Sequence, residues 1–215
     1  MSFVEKSACP GFGRGTFGDI VAALSHEEAE MIGKAVLALG ASVVLAGAAN
    51  AHSISVLGSN ADAISCYRAA DSEARRPDAL ESCAAALRND DLTRYDRMAT
   101  FVNRGIVRFR LEDFDGAIAD FDEAMRIEPN QPDALINRGI TMLAAGHDVE
   151  QSVSFIERGI AGGPQRPWVG YYGRGVANEL AGRDAAAYRD YRRAQELRPG
   201  WDLPRRALAR FSVTS

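Results

Sequence analysis

The chain has 215 residues and a formal net charge of −4, with 47% hydrophobic and 25% charged residues. This length and composition allow one domain with a sizeable hydrophobic core. The acidic balance argues against a nucleic-acid-binding protein, because such proteins present a basic surface to the phosphate backbone.

The first 30 residues have the composition of a segment that does not fold by itself. They contain Pro10, four glycines between positions 11 and 18, and the acidic run Glu27–Glu30. Such a segment buries too little apolar surface to offset the loss of chain entropy. We therefore predict that residues 1–30 are a disordered extension. Because the signal-like stretch described next opens at Met31, we also predict that the natural chain begins there.

Residues 31–51 have the layout of a secretory signal peptide. Lys34 supplies a positive flank, Ala35–Ala48 is an apolar run, and Ala49–Ala51 provides a small-x-small cleavage site. The run is shorter than the roughly 20 apolar residues of a membrane-spanning helix. We predict cleavage before His52 and a periplasmic or secreted protein. A buried core helix, in a cytoplasmic protein, is the alternative.

Only Lys6 and Lys34 are lysines, and every later basic residue is arginine, a bias that favours a GC-rich bacterial source. After the predicted cleavage point, residues 52–60 form a short extended lead-in. Residues 61–97 then form a degenerate helical hairpin and a linker, with Cys66 on one helix and Cys83 on the other. The predicted cleavage would remove Cys9, and the even number of cysteines that remains in an exported chain favours a disulfide. Two buried free thiols are the alternative.

Residues 98–201 carry one pattern three times, and the copies end at Pro129, Pro164 and Pro199. Each copy has an early Arg-Gly pair, a later small residue, a bulky residue four positions further on, and a second small residue. Small residues let two helices approach closely, and residues four apart share one helical face. The pattern predicts a helical hairpin that a proline terminates. The anchors are Arg104, Gly105, Ala117, Phe121 and Ala124; Arg138, Gly139, Ser152, Ile156 and Gly159; and Arg174, Gly175, Ala187, Tyr191 and Ala194.

Within the first copy, we expect Gly105 to face the short side chains of Ala117 and Ala124 across the hairpin. Phe121 lies on the same face of the second helix and is expected to fill the gap to the neighbouring helix. Asp113 stands where the second helix begins and suits an N-cap, because its carboxylate can accept a hydrogen bond from a free backbone N–H group.

This pattern resembles the tetratricopeptide repeat, a helix–turn–helix unit of roughly 34 residues. The resemblance covers residues 98–199. It implies an all-α fold, a right-handed α–α superhelix built from three clear hairpins, the degenerate N-terminal hairpin and a C-terminal capping helix. The repeats would span residues 98–131, 132–167 and 168–201, and the capping helix and tail would span 202–215, with the helix itself over 202–211.

The resemblance also implies where a partner binds. In this family the first helix of each repeat lines an inner groove, where an asparagine commonly bonds the main chain of a bound peptide. Asn103 and Asn137 match that position, and the third copy has Gly173 there. Neighbouring apolar positions would line the same groove, although several of them fit an inter-repeat core equally well. These positions include Ile106, Ile140 and Tyr172.

The arginines of the three Arg-Gly pairs could bind carboxylate or phosphate groups. In the first and third copies an aspartate, Asp120 or Asp190, stands at the matching place of the second helix and predicts an ion pair inside the hairpin. The middle copy has Phe155 at that place. Arg138 is therefore predicted to lack an acidic partner and to be the arginine most available to a ligand in the groove.

No spacing of histidines, cysteines and carboxylates indicates a metal site or a catalytic triad. The sequence therefore predicts a non-catalytic protein–protein interaction scaffold, exported to the periplasm, that binds a peptide or a helix in its concave groove. We expect a protein or peptide partner, no cofactor, no nucleic acid and no stable membrane insertion after signal cleavage. The alternatives are a cytoplasmic or membrane-tethered adaptor and, from another class, an envelope redox or hydrolytic enzyme.

Overall fold

The computed structural model describes residues 3–6, 53–72 and 74–214. Over those residues the chain forms nine helices and two short strands. None of these helices has both the length and the apolar character that crossing a membrane requires. The helices are α1 (Ala61–Asp71), α2 (Ala79–Arg88), α3 (Arg94–Arg110), α4 (Phe114–Ile127), α5 (Pro132–Ala144), α6 (Val149–Ala161), α7 (Pro167–Leu180), α8 (Asp184–Leu197) and α9 (Asp202–Leu208), and the strands are β1 (Phe3–Lys6) and β2 (Phe211–Thr214).

The helices pair into four hairpins, α1 with α2, α3 with α4, α5 with α6, and α7 with α8, and α9 packs on α8. From α2 onward, each second helix contacts the first helix of the next hairpin, and the first helices α1, α3, α5 and α7 contact one another in that order. Residues 98–199 form helices and turns only. The predicted all-α architecture of hairpins stacked in series is therefore confirmed.

Within each hairpin, a bulky side chain of the second helix packs on the glycine of the first. A Cβ atom on Gly105 would lie 2.6 Å from Cε1 of Phe121, and one on Gly175 would lie 2.7 Å from Cδ1 of Tyr191. Contacts this short exclude a side chain at either glycine. Gly105 thus faces the Phe121 ring rather than the alanines that we expect opposite it, since the ring folds back into its own hairpin.

Helix α3 begins before the predicted start of the repeat at residue 98. The backbone N–H of Asp96 donates to Oγ1 of Thr93 at 3.0 Å, and the Thr93 hydroxyl donates to Oδ2 of Asp96 at 2.8 Å. This reciprocal pair starts the helix at Arg94 and shortens the linker from the first hairpin. At the next helix start, the Asp113 carboxylate accepts from the N–H of Gly116 at 3.0 Å, which confirms the predicted N-cap.

The C-terminal end differs from the predicted capping helix, because α9 stops at Leu208 and a strand follows. Strand β2 pairs antiparallel with β1, so that Phe3 stands opposite Thr214 and Lys6 opposite Phe211. Strand β1 lies within the segment, residues 1–30, for which the sequence predicts disorder, and that prediction stays a prediction. The predicted signal peptide, residues 31–51, lies outside the described residues.

In the first hairpin, Cys66 and Cys83 are joined by a disulfide with a Cα–Cα distance of 4.8 Å, and both side chains are fully buried. The Cα distance lies within the range that disulfides require. Alkylation of the protein tests the predicted pairing.

We expect that the denatured, unreduced protein gains no iodoacetamide adduct at Cys66 or Cys83, and gains one at each after reduction. Peptide mass spectrometry measures this outcome. A Cys83→Ser variant is the matched control, since its Cys66 has lost its partner and should react without reductant. Adducts on both cysteines before reduction would contradict the disulfide.

Candidate peptide-binding groove

Residues 53–58, here named the docked segment, lie against α3 and are held there by Asn103. The backbone N–H of Ile54 donates to Oδ1 of Asn103 at 2.8 Å, and Nδ2 of Asn103 donates to the Ile54 carbonyl oxygen at 2.8 Å. Both residues are fully buried. One side-chain amide therefore satisfies both main-chain groups of one residue, which otherwise would be costly to bury.

A second side chain of α3 holds the other end of the docked segment. The N–H groups of Leu57 and Gly58 donate to the two carboxylate oxygens of Asp96, at 2.6 and 3.1 Å. A Cβ atom on Gly58 would lie 2.7 Å from Oδ2 of Asp96, so a side chain at this position would push the carboxylate away from the N–H groups that it binds. Asp96 and Asn103 share one face of α3, two turns apart, and together recognise main chain rather than side chains.

The docked segment also reaches the first hairpin. The Ser53 hydroxyl donates to Oδ1 of Asp71, at the end of α1, at 2.9 Å. Arg166, at the start of α7, donates to the same carboxylate oxygen at 3.0 Å. Ile54 itself belongs to the largest hydrophobic cluster, which includes Val102 and Ile106 of α3. The segment is thus packed and hydrogen-bonded, and not merely a lead-in to the first helix.

Asn103 therefore contacts a main chain, as the resemblance implies, and the main chain is the protein's own. Sequence reasoning did not single out Asp96. Two signals pointed to it: the Thr-x-x-Asp pattern of a helix start, and its position seven residues before Asn103 on the same helical face.

The other predicted groove residues lie mostly inside the packing between repeats. Ile106 is fully buried, and Asn137 is 1% exposed. Ile140 is half-buried, and a Cβ atom on Gly173 would lie 2.7 Å from its Cγ1 atom. The third copy thus has glycine at the asparagine position because Ile140 of the preceding repeat fills that place.

Tyr172 is half-buried near the C-terminal end of the solenoid. Its ring centroid lies 5.5 Å from that of Tyr191 and 5.0 Å from that of Trp201. Burial raises the pKa of Tyr172 above its ordinary value. Tyr172 therefore contributes to an aromatic cluster, and only part of its surface can contact a ligand.

The prediction that Arg138 lacks an acidic partner is wrong. Its Nε donates to Oδ1 of Asp122 at 2.6 Å, and its guanidinium lies 4.0 Å from the centroid of the Phe155 ring. Asp122 belongs to α4 of the preceding hairpin, whereas the prediction concerned the second helix of the hairpin that contains Arg138. Arg138 is thus already engaged by a carboxylate and an aromatic face.

The two predicted ion pairs within hairpins are confirmed. Arg104 binds Asp120 at 2.6 Å, and Arg174 binds Asp190 at 2.7 Å. Hydrogen bonding to Asp190 raises the pKa of Arg174 further above its ordinary value. These arginines hold each hairpin together, so none of the three equivalent arginines is left for a ligand phosphate or carboxylate.

Asp133, in the first turn of α5, is an acid whose burial raises its pKa to about 6. The hydrogen bond from Gln131 and the nearby Arg166 act in the opposite direction. Because the folded-state pKa lies above that of the unfolded chain, the folded protein binds this proton more tightly. The contribution of Asp133 to stability is therefore lost as the pH rises from about 4 through about 6.

We expect an Asp133→Asn variant to show this effect. Between pH 7 and pH 5 the wild-type chain should gain about 1 kcal/mol of unfolding free energy from Asp133, and the variant should lack that gain. Urea denaturation at both pH values, with Asp115→Asn in the exposed first turn of α4 as control, measures the difference. Identical pH dependence in wild type and Asp133→Asn would contradict the assignment.

Over residues 53–72 and 74–212, no group of histidine, cysteine and carboxylate side chains could hold a metal ion. The geometry of Asp96 and Asn103 supports hydrogen bonding to a non-helical main chain. That is the chemistry that the described part of this groove offers.

No family model and no curated protein matches the chain. Among solved structures, the NMR structure of the first TPR domain of the human RPAP3 protein is similar to it. That domain is 21% identical, with a TM-score of 0.48, over 52% of this chain and 87% of the domain.

Proposed function

We propose that this chain is a non-catalytic protein-interaction scaffold that binds an uncoiled segment of a partner protein along the first helices α3, α5 and α7. The observation that supports this function is the paired hydrogen bonding of Asn103 to the N–H and C=O of Ile54. In this pair, a side chain of α3 holds the main chain of a non-helical segment of the same protein in a buried site, and we propose that a partner segment is held in the same way.

This geometry favours a peptide over an amphipathic helix as the ligand. Inside a helix, the N–H and C=O groups of each residue are already hydrogen-bonded to other residues of the helix. They therefore cannot both bind the side chain of one asparagine. A side chain such as Asn103 therefore selects an uncoiled chain. Packed helices also keep the groove rigid, which lowers the entropy that binding removes.

Site-specific photo-cross-linking tests the proposed function. We would place a photoreactive phenylalanine analogue at Tyr172 on α7 and, as the matched control, at Tyr188 on α8, which is also half-buried. We expect position 172 to cross-link to one short segment of a partner, identified by mass spectrometry, and position 188 not to do so. Equal cross-linking at both positions, or none at position 172, would contradict a groove function.

We further propose that the chain is exported to the periplasm, because residues 31–51 have the layout of a signal peptide. This maturation would remove β1 and leave β2 without its strand partner. N-terminal sequencing of the fractionated protein should find a mature end near His52 in the periplasm. A cytoplasmic protein that retains residues 31–51 would overturn the proposal.

A further inference from the structure

We propose that the docked segment is a built-in ligand that blocks its own groove, and that a partner must displace it with a peptide of the same pattern. This inference rests on the proposed function, whose binding site it defines and whose regulation it describes. The segment makes with α3 the contacts that a peptide supplied by another protein would make.

The contacts define the chemistry of that peptide. Its second residue is a branched aliphatic one, like Ile54, whose side chain enters the core and whose N–H and C=O both bind Asn103. Its fifth residue can be any non-proline, because Leu57 is 78% exposed and contributes only its N–H group. Its sixth is glycine, because a Cβ atom at Gly58 would displace the Asp96 carboxylate from the N–H groups that it binds.

The groove can lose the docked segment without leaving its two carboxylates unpartnered. Asp96 keeps its hydrogen bond with Thr93, and Asp71 keeps Arg166. Helix α1 also has an anchor of its own, because the Asn60 side chain accepts a hydrogen bond from the N–H of Ala63 at 2.8 Å. Release of residues 53–58 therefore need not unfold the first hairpin.

The tether strongly favours the built-in ligand over a free one. The docked segment joins α1 directly at Asn60, so its effective concentration at α3 is of millimolar order. A peptide with the same contacts but no tether must compete against that concentration. Binding in trans should therefore be weak in the wild-type chain and should become strong when the tethered copy is disabled.

Fluorescence anisotropy with a labelled synthetic peptide, Ser-Ile-Ser-Val-Leu-Gly-Ser-Asn, tests this inference on the full chain. We expect an Ile54→Asp variant, which expels the segment, to bind the peptide at least tenfold more tightly than wild type. Adding Asn103→Ala to that variant should abolish binding. The same peptide N-methylated at the isoleucine amide is the matched control and should not bind, because it lacks the donor to Asn103.

A second variant keeps the test decisive if Ile54→Asp does not fold by circular dichroism. Leu57→Pro removes the N–H group that reaches Asp96 and puts the proline ring against that carboxylate, whereas the Leu57 side chain itself is exposed. This variant should therefore also release the docked segment and bind the peptide more tightly than wild type. Equal affinity of the wild type and a folded variant, or no binding to any folded variant, would overturn the inference.

The outcomes for the built-in ligand and for the proposed function can be told apart. If the peptide binds the displaced variants and position 172 cross-links to no partner, the built-in ligand stands and the scaffold function fails. If position 172 captures a partner segment and the peptide binds no displaced variant, the scaffold function stands and the built-in ligand fails.

Discussion

Replacing Asn103 with alanine should release residues 53–58 from α3 while the later hairpins stay folded. The substitution leaves the N–H and C=O groups of Ile54 buried without a partner. Each such group costs about 1–3 kcal/mol, so the released segment becomes lower in free energy than the docked one. We expect a loss of at least about 2 kcal/mol of local stability, which corresponds to about 30-fold faster amide exchange at Ile54.

Hydrogen exchange followed by NMR measures this effect residue by residue. Amides of the docked segment should lose protection, whereas amides of α5 to α8 should keep it. Asn130→Ala is the matched control, because Asn130 is an exposed asparagine in the turn before α5. An unchanged exchange rate at Ile54 in Asn103→Ala would show that the asparagine does not hold the segment.

The second large effect should follow removal of Asp120, whose carboxylate binds two arginines of the facing helix. It accepts from Arg104 at 2.6 Å and from Arg108 at 3.0 Å, and Arg108 also donates to the Gly116 carbonyl oxygen at 3.1 Å. Asp120 is 2% exposed, whereas the two arginines remain partly in contact with water. Asp120→Ala should therefore cost about 2–4 kcal/mol of unfolding free energy, somewhat less than for a wholly buried pair.

The neighbouring carboxylate provides the control. Asp122→Ala removes the same charge from the same helix, but Asp122 is 48% exposed and pairs with Arg138 near the surface. Exposed pairs contribute little, so this variant should lose less than about 1 kcal/mol. Urea denaturation of both variants decides the matter. Equal losses would mean that net charge, rather than the buried position of Asp120, sets the effect.

Much of this fold could be predicted from the sequence because the signals are local. The Arg-Gly pairs, the bulky residues at Phe121 and Tyr191, and the terminal prolines recur at intervals that only a helical hairpin satisfies. The pairing of Arg104 with Asp120 could be predicted for the same reason, since the two residues lie opposite each other on the two helices of one hairpin. The N-cap at Asp113 depends on nothing beyond its own helix start.

Contacts between hairpins could not be predicted in the same way. Arg138 finds its carboxylate, Asp122, on the preceding hairpin, and the periodicity of one repeat carries no information about that neighbour. In the sequence, Gly173 stands where the other two repeats have asparagine. Only the packing of Ile140 against this position explains why glycine is there. Such contacts depend on how far successive hairpins are rotated, which the spacing within one hairpin does not set.

The sequence by itself determined that this chain folds into stacked helical hairpins with an asparagine on the inner helix. Only the tertiary structure decided what occupies that asparagine. Residues 53–60 show no helical or strand periodicity, and the contact between Ile54 and Asn103 spans 49 residues of sequence. Main-chain groups carry that contact, and every residue except proline has the same main chain, so no side-chain pattern could reveal it.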